Sequence, residues 1–582
     1  MRLKRLTAFM AAALLSVGML TGCGDDKKST TEAKKDDATT EAAKTDDGGD
    51  ATEESSEPKE IKEFTMYINS SGSEINDDNE IQQIIAEKTG VKVKETFLTG
   101  QTAEEAAGTI IAGGKYTDFI NGGDSNTKFY EAGAFIPWDE AIESGKYPNI
   151  TEFLTPAEWD TLRQDDGHIY WLNPFDNHYG EDKTTEVGGE AFWIQTRVLE
   201  WDGYPEIDTM DEYFDLIERY TEANPQHIDG SDVIPYTILC EDWRYFCLEN
   251  APQFLDGYPN DGSVIVDMDT KKVVDYNTTE TAKKYFGKLN EEYKKGIVDP
   301  ESFTQTYDEY IAKLSTGRVL GMIDQWWDFA FTINDIFATQ DGGKLEEAGC
   351  NYVPLGLTIE KGMDNQWHSS GDTVNVSSGI GISVDCQDPD AAFQFIDDLL
   401  SQEIHDLRFW GVEGVDYGVD ENGLYYRTDE QRTRCAETDY KASHMCTYSN
   451  FPQYSGTSRD GKNAMQPAQQ PSEFMDGLPE PVQKCFEAYG VQTYVEFIDS
   501  VDNYGPWFPM WSYSNTLSTD TAGGVAWTKM GEIKHEWLPL VVMADDFDAK
   551  WDEYMEVYKT AKPEDFLAEM QEELDRRIAN AQ

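Results

Sequence analysis

Phe64-Thr65-Met66-Tyr67-Ile68, Val91-Lys92-Val93-Lys94-Glu95-Thr96-Phe97 and Tyr116-Thr117-Asp118-Phe119-Ile120-Asn121 are three short apolar or alternating runs. What separates them decides the fold. Ile81, Ile84 and Ile85 recur at helical spacing before Thr89-Gly90, and a glycine just past the last periodic residue is a helix stop. Ala103 to Ile111 reads as a second helix closed by Gly113-Gly114. The order strand, helix, strand, helix, strand predicts an α/β protein with a mainly parallel sheet covered by helices.

In such sheets ligands collect beyond the carboxyl ends of the strands. Asn69 to Ser71 and Asn121 to Ser125 occupy that position, so Asn69, Asn121 and Asp124 are candidate ligand contacts. A later strand candidate, Val319 to Ile323, lies within Gly317-Arg-Val-Leu-Gly-Met-Ile-Asp-Gln-Trp-Trp327. If the strand continues, Trp326 and Trp327 point to opposite faces and cannot both fill one core. A flat ring beside Asp324 and Gln325 suits a sugar, which offers an apolar C–H face and an edge of hydroxyls. The alternative is that both indoles are core with bonded N–H groups. Ile234 to Leu239 is a further apolar strand, followed by Trp243 and Arg244; these are cleft candidates or a packed ring beside a structural ion pair. Residues 436–519 are rich in Tyr, Ser, Gly, Pro and Asn and contain Trp507-Phe508-Pro509-Met510-Trp511. They read either as loops over a cleft, with Trp507 and Trp511 closing on a ligand, or as a satellite hydrophobic cluster.

Working outward to the N-terminus, Arg2, Lys4 and Arg5 precede a mostly apolar run from Leu6 to Leu20. That is short for a spanning helix and right for a signal peptide. It ends in Leu20-Thr21-Gly22-Cys23, which resembles a bacterial lipobox. The expectation is a leader over residues 1–22, lipid attachment at Cys23 and a disordered acidic tether over 23–63, whose only large apolar side chain is Ile61.

The formal net charge is −64 and no basic stripe follows the tether, which argues against nucleic-acid binding and for a neutral ligand. Apart from Cys23 there are seven cysteines with no CxxC spacing; Cys240 with Cys247, or Cys435 with Cys446, could pair, and free buried thiols are an equal reading. No cofactor is expected, and no metal: Glu532-x-x-His535-Glu536 lacks completing ligands and reads as surface charge.

Taken in order, these segments resemble a known family. Lys88-Thr89-Gly90-Val91, Gly113-Gly114-Lys115-Tyr116-Thr117-Asp118-Phe119-Ile120, Glu131 to Asp139 and Pro148-Asn149-Ile150 look like the extracellular solute-binding lipoproteins of bacterial ABC importers, in the large carbohydrate-binding group. So do Asp166-Gly167-His168-Ile169-Tyr170-Trp171, Phe192-Trp193-Ile194-Gln195, Gly296 to Glu301, Gly379 to Val384 and Asp388 to Ala392. Trp410-Gly411-Val412-Glu413-Gly414-Val415-Asp416-Tyr417 comes next, as in the longer members, which makes Trp410 a further site candidate. Thr117 departs from the family, which usually has proline there.

The resemblance implies a two-lobed periplasmic-binding-protein-like fold with a hinge. The expected first lobe is 64–185 plus roughly 372–430, and the second 186–371 plus roughly 431–582. It implies a monomeric, lipid-anchored receptor on the outer face of the cell membrane, not an enzyme, handing a neutral oligosaccharide to permease subunits served by a separate ATPase. Rival readings are a peptide-binding importer receptor, a secreted glycoside hydrolase, for which the many carboxylates leave candidate pairs everywhere, and a purely structural surface lipoprotein.

Overall fold

In the computed structural model the described residues are 61–173, 178–180, 183–370 and 374–581. The expected leader, Cys23 and most of the expected tether therefore lie outside the described residues. Strand β1 (Lys62–Ile68) takes in Lys62 and Glu63, the last residues assigned to the tether.

The opening pattern folds as its periodicity dictates. β1 pairs in parallel with β2 (Val91–Phe97) on one side and with β3 (Phe119–Asn121) on the other. The helix Glu80–Thr89 joins the first two; Asn79 accepts the Gln82 N–H at its start, and Gly90, at φ 77°, ends it in the left-handed region. The helix Ala103–Gly113 starts with a capping box between Thr102 and Glu105. β4 (Trp171–Leu172) closes the far edge of this sheet, but it does not touch β3.

The chain then leaves to build a second sheet from β5 (Glu190–Gln195), β6 (Ile234–Tyr236), β7 (Val319–Gln325) and β8 (Tyr352–Leu355). Their spatial order is β8–β5–β7–β6; β7 runs antiparallel to β5 and parallel to β6. Only afterwards does β9 (Ile380–Ile382) return to the first sheet and slot between β3 and β4, antiparallel to both. The first sheet is thus ordered β2–β1–β3–β9–β4.

Each sheet has its own core, which defines the two lobes. Phe64, Met66, Ile81, Phe119, Trp138, Ile380 and Phe395 belong to one; Trp193, Tyr213, Phe286, Met322, Val353, Leu538 and Phe566 belong to the other. The boundary expected near residue 431 is corrected by these cores. Cys446, Tyr448, Phe451, Tyr454 and Met465 pack in the first lobe, and the chain rejoins the second core only at Phe474. Trp410 and Trp507, expected at the cleft, are likewise corrected: both are buried core. The Trp410 indole donates to the Ala464 carbonyl and packs edge-on against Tyr425 at 5.2 Å. The Trp507 ring lies under the Lys271 ammonium, 4.6 Å away. All seven described cysteines are free thiols, so neither Cys240 with Cys247 nor Cys435 with Cys446 is bridged.

Gly321, in β7, has no room for a side chain, because the Tyr213 hydroxyl crosses that point to donate to the Trp193 carbonyl at 2.8 Å. Gly321→Ala forces that hydroxyl aside; a loss of about 1–3 kcal/mol of stability is expected, read as a lower denaturant midpoint at unchanged slope.

Candidate functional site

β6 and β7 are parallel neighbours, so the loops leaving their carboxyl ends emerge at one edge of the second sheet. After β6 the backbone turns sharply at Asp242, whose φ of 52° is left-handed, into a single helical turn carrying Trp243 and Arg244. After β7 the chain does not continue extended. Residues Trp326–Thr339 form a helix, so the two tryptophans sit on its first turn. Successive side chains there differ by about 100° of rotation rather than 180°, and the strand argument for their separation is replaced by a helical one. Trp326 is half-buried and meets Phe331 edge-on at 4.5 Å; Trp327 is 41% exposed.

The two loops converge. The Trp243 and Trp327 rings stack with centroids 5.7 Å apart and planes 13° from parallel. Phe246 extends the aromatic surface, 5.9 Å from Trp243. The Arg244 guanidinium lies between the faces of Trp243 (4.4 Å) and Tyr307 (3.9 Å). Its Nε donates to both Asp328 oxygens, at 2.9 and 3.1 Å, and the Tyr307 hydroxyl donates to the Asp328 carbonyl. This ion pair is largely shielded from water, so removing one partner would cost several times what a surface pair costs. It fixes Trp243, which nonetheless stays 50% exposed. Tyr307 and Phe246 escaped the sequence reading: Tyr307 opens a helix behind a Thr306–Glu309 capping box and carries no local sign of a site.

Asp324 does not join this surface. It is fully buried, accepting from the Tyr310 hydroxyl at 2.7 Å, the Gln325 N–H at 2.7 Å and the Cys247 thiol. Burial, and next the Asp328 charge, push its carboxyl up to about 8. Glu190 beside it is also buried and is pushed well above the carboxylate range by desolvation; Asn250 donates to one oxygen at 2.9 Å. Beneath the aromatic surface thus lie the Asp328 carboxylate, paired with Arg244, and the buried Asp324 and Glu190, whose carboxyls desolvation raises.

In the first lobe the candidate residues sit at the ends of β1 and β3. The Asn69 N–H donates to the Asn121 carbonyl, and its side-chain amide donates to the Ala103 and Gly122 carbonyls while accepting from Tyr67. Both amide hydrogens are used, so Asn69 builds the floor and has no donor left for a ligand. The Asn121 side chain accepts from the Gly123 N–H and donates to the Asn450 side chain at 3.4 Å. Asp124 is exposed, yet the protein around its carboxyl desolvates and so raises it, while Ser377 donates to it at 3.4 Å. Trp511 is half-buried at the start of the helix Trp511–Ser514, whose Tyr513 packs against both cores. Among the described residues no group of three or more His, Cys, Asp or Glu side chains is arranged to hold a metal ion.

Residues 80–406 match the bacterial extracellular solute-binding proteins, and the chain belongs to that family. The fructooligosaccharide ABC transporter substrate-binding protein FusA of Streptococcus pneumoniae is 27% identical over 254 residues; the match spans 41% of this chain and 45%, about half, of that relative's length. Solved structures agree with the two-lobed fold. FusA with fructo-nystose superposes with a TM-score of 0.60 at 17% identity, covering 89% of this chain and 100% of the other. The alginate-binding protein AlgQ2 gives 0.58 at 18% over 88% and 98% of the two chains. A solute-binding protein from Bifidobacterium longum infantis, described as binding HMO, gives 0.58 at 14% over 88% and 99%.

The buried acids have a consequence for stability. A carboxyl raised in the fold binds a proton that the unfolded chain has already released, so stability is full below about pH 4 and falls as pH rises through the folded value. Asp324, at about 8, and Glu95 and Asp261, at about 7, all act in this sense. Asp324→Asn keeps the shape and removes one titration. Melting temperature measured from pH 4 to 9 should decline less steeply in the variant than in the wild type.

Proposed function

We propose that the protein is a lipid-anchored receptor, attached through Cys23 on the outer face of the bacterial cell membrane, that binds a neutral oligosaccharide between its lobes and passes it to an ABC importer. It acts as a monomeric binder and not as an enzyme, and the permease subunits and ATPase are separate chains. The observation that carries this reading is the Trp243–Trp327 stack, held open to solvent by Arg244 at the strand ends of the second lobe. A sugar face against one indole removes ~100 Å² of apolar area from water, on the order of 2.5 kcal/mol. Family membership, and the sugar ligands named for FusA, support the same class of solute.

Closure follows from the chain path. The backbone passes between the two cores after Leu172, after Trp367 and after Met465, and closure would turn about these crossings. Ligand first rests on one lobe, and rotation about the crossings adds the contacts of the other; only contacts made in the closed form shift the equilibrium toward it. Aromatic area then supplies affinity, and the Asn121 amide and Asp124 carboxyl of the first lobe supply hydrogen bonds to hydroxyls, which the closed site cannot leave unpaired. The high negative charge favours uncharged ligands over acidic ones.

Calorimetric titration of the purified full-length protein with kestose, nystose and maltotetraose, with short neutral peptides alongside, tests this. Saturable binding of at least one oligosaccharide with no product is expected. Trp243→Ala and Trp327→Ala should each weaken that binding by about 10- to 100-fold, from the lost ring area. Binding of peptides alone, or release of shorter sugars, would overturn the reading.

A further inference from the structure

Arg408 is fully buried in the first lobe; the buried Glu95 carboxyl is near enough to feel its charge, but among the described residues no carboxylate accepts a hydrogen bond from it. Its guanidinium is spent on backbone instead. Nε donates to the Thr447 carbonyl (2.8 Å), Nη1 to Leu399 (3.1 Å) and Pro452 (2.8 Å), and Nη2 to Tyr448 (3.1 Å) and Phe451 (3.3 Å). Five donors meet five carbonyls, which is all that a guanidinium offers. Four of those carbonyls belong to one loop, residues 447–452. Burying a cation is costly unless it is fully bonded, so a surface loop that needs one at its centre is being held in a shape it would not otherwise keep. The backbone shows the same tension: Tyr448 sits at φ 45°, a left-handed conformation rare for a bulky residue.

The middle of the loop is what these bonds position. Phe451 is driven into the core, edge-on to Phe119 (5.2 Å) and Phe395 (5.4 Å). Tyr448 turns inward too, its hydroxyl accepting the Val93 N–H of the edge strand β2. Between these two anchors, Ser449 is exposed and Asn450 half-exposed, with the Asn450 side chain against Asn121 at the carboxyl end of β3. Among the described residues the Asn450 amide nitrogen has no acceptor, and Asn121 retains an unused N–H.

We infer that the loop 447–452 is a ligand-reading element of the first lobe, in which Asn450 and Asn121 together bind a sugar hydroxyl, and that Arg408 is its positioning residue. The inference rests on the oligosaccharide reading given above and adds to it a specificity determinant more than 300 residues in sequence from the strand end it serves. Two neighbouring amides offer donors with an acceptor between them, which suits a hydroxyl that both accepts and donates. A charged group gains no counter-charge from them.

The test titrates kestose, nystose and maltotetraose into the full-length wild type and into Asn450→Ala, Asn450→Asp, Arg408→Lys and the Arg408→Lys/Asn450→Ala double variant. Asn450→Asp keeps the shape but loses both N–H donors. Each Asn450 variant should weaken the best ligand by about tenfold, the usual effect of one buried hydrogen bond to a ligand, and should narrow the preference among the three sugars. Arg408→Lys should narrow it in the same direction, and the double variant should bind no more weakly than Arg408→Lys alone, because displacing the loop already removes Asn450. A merely structural arginine would lower stability without altering the order of preference. If Arg408→Lys does not fold, the two Asn450 variants decide the matter. Unchanged affinities in both, with binding still lost in Trp243→Ala, would overturn the loop assignment and leave the receptor reading intact. Absence of binding by the wild type to every sugar would overturn both.

Discussion

The first lobe is finished by a strand that the chain reaches last. β9 separates β3 from β4, and it is synthesised only after the whole second sheet. Until it slots in, Phe119 and Ile120 on one side and Trp171 on the other have no neighbour to complete the sheet. Gly379, at φ 150°, and Gly381 permit the approach, since a side chain at either would run into the Leu172 carbonyl or the Phe135 ring. The lobes are therefore interdependent in sequence though separate in core. The crossings created by this detour are also what a hinge requires, so topology and mechanism share one origin.

The opening repeat of strand and helix was legible because each element is short, amphipathic and stopped by glycine; the structure moves its boundaries by only a few residues at each end. Chemistry at strand ends was legible for the same reason: knowing where β6 and β7 stop is enough to nominate Trp243, Arg244 and Trp327. Adjacent position could not say which of these face outward. Asp324 comes after the apolar run just as Trp327 does, but it still lies in β7, paired with Ala191, and faces inward to Tyr310, whereas the helix beginning at Trp326 carries Trp327 outward.

The region 436–519 was the least legible. It lacks long periodic helices, so nothing local says which core its tyrosines and phenylalanines enter. The answer lies in distant partners: Arg408 gathers residues 447–452 into the first lobe, and Arg577, bonding the Trp507 and Pro509 carbonyls, fixes residues 507–509 to the second. The family resemblance nominates Trp410, and a loop-like stretch read as covering the cleft nominates Trp507, yet both rings are buried. Burial is a property of three-dimensional surroundings, and a lone aromatic residue in sequence does not disclose it.

The seven free thiols carry a different implication. Small secreted domains commonly rely on disulfides, whereas this chain encloses two extensive cores and spends its cysteines as packing groups, with Cys247, Cys350 and Cys485 among the most completely enclosed. Burial pushes the Cys350 thiol up to about 11 and Cys485 to about 12, so little reactive thiolate forms. Among the described residues, then, the packing of these lobes depends on no disulfide, and no oxidant is needed to complete either core.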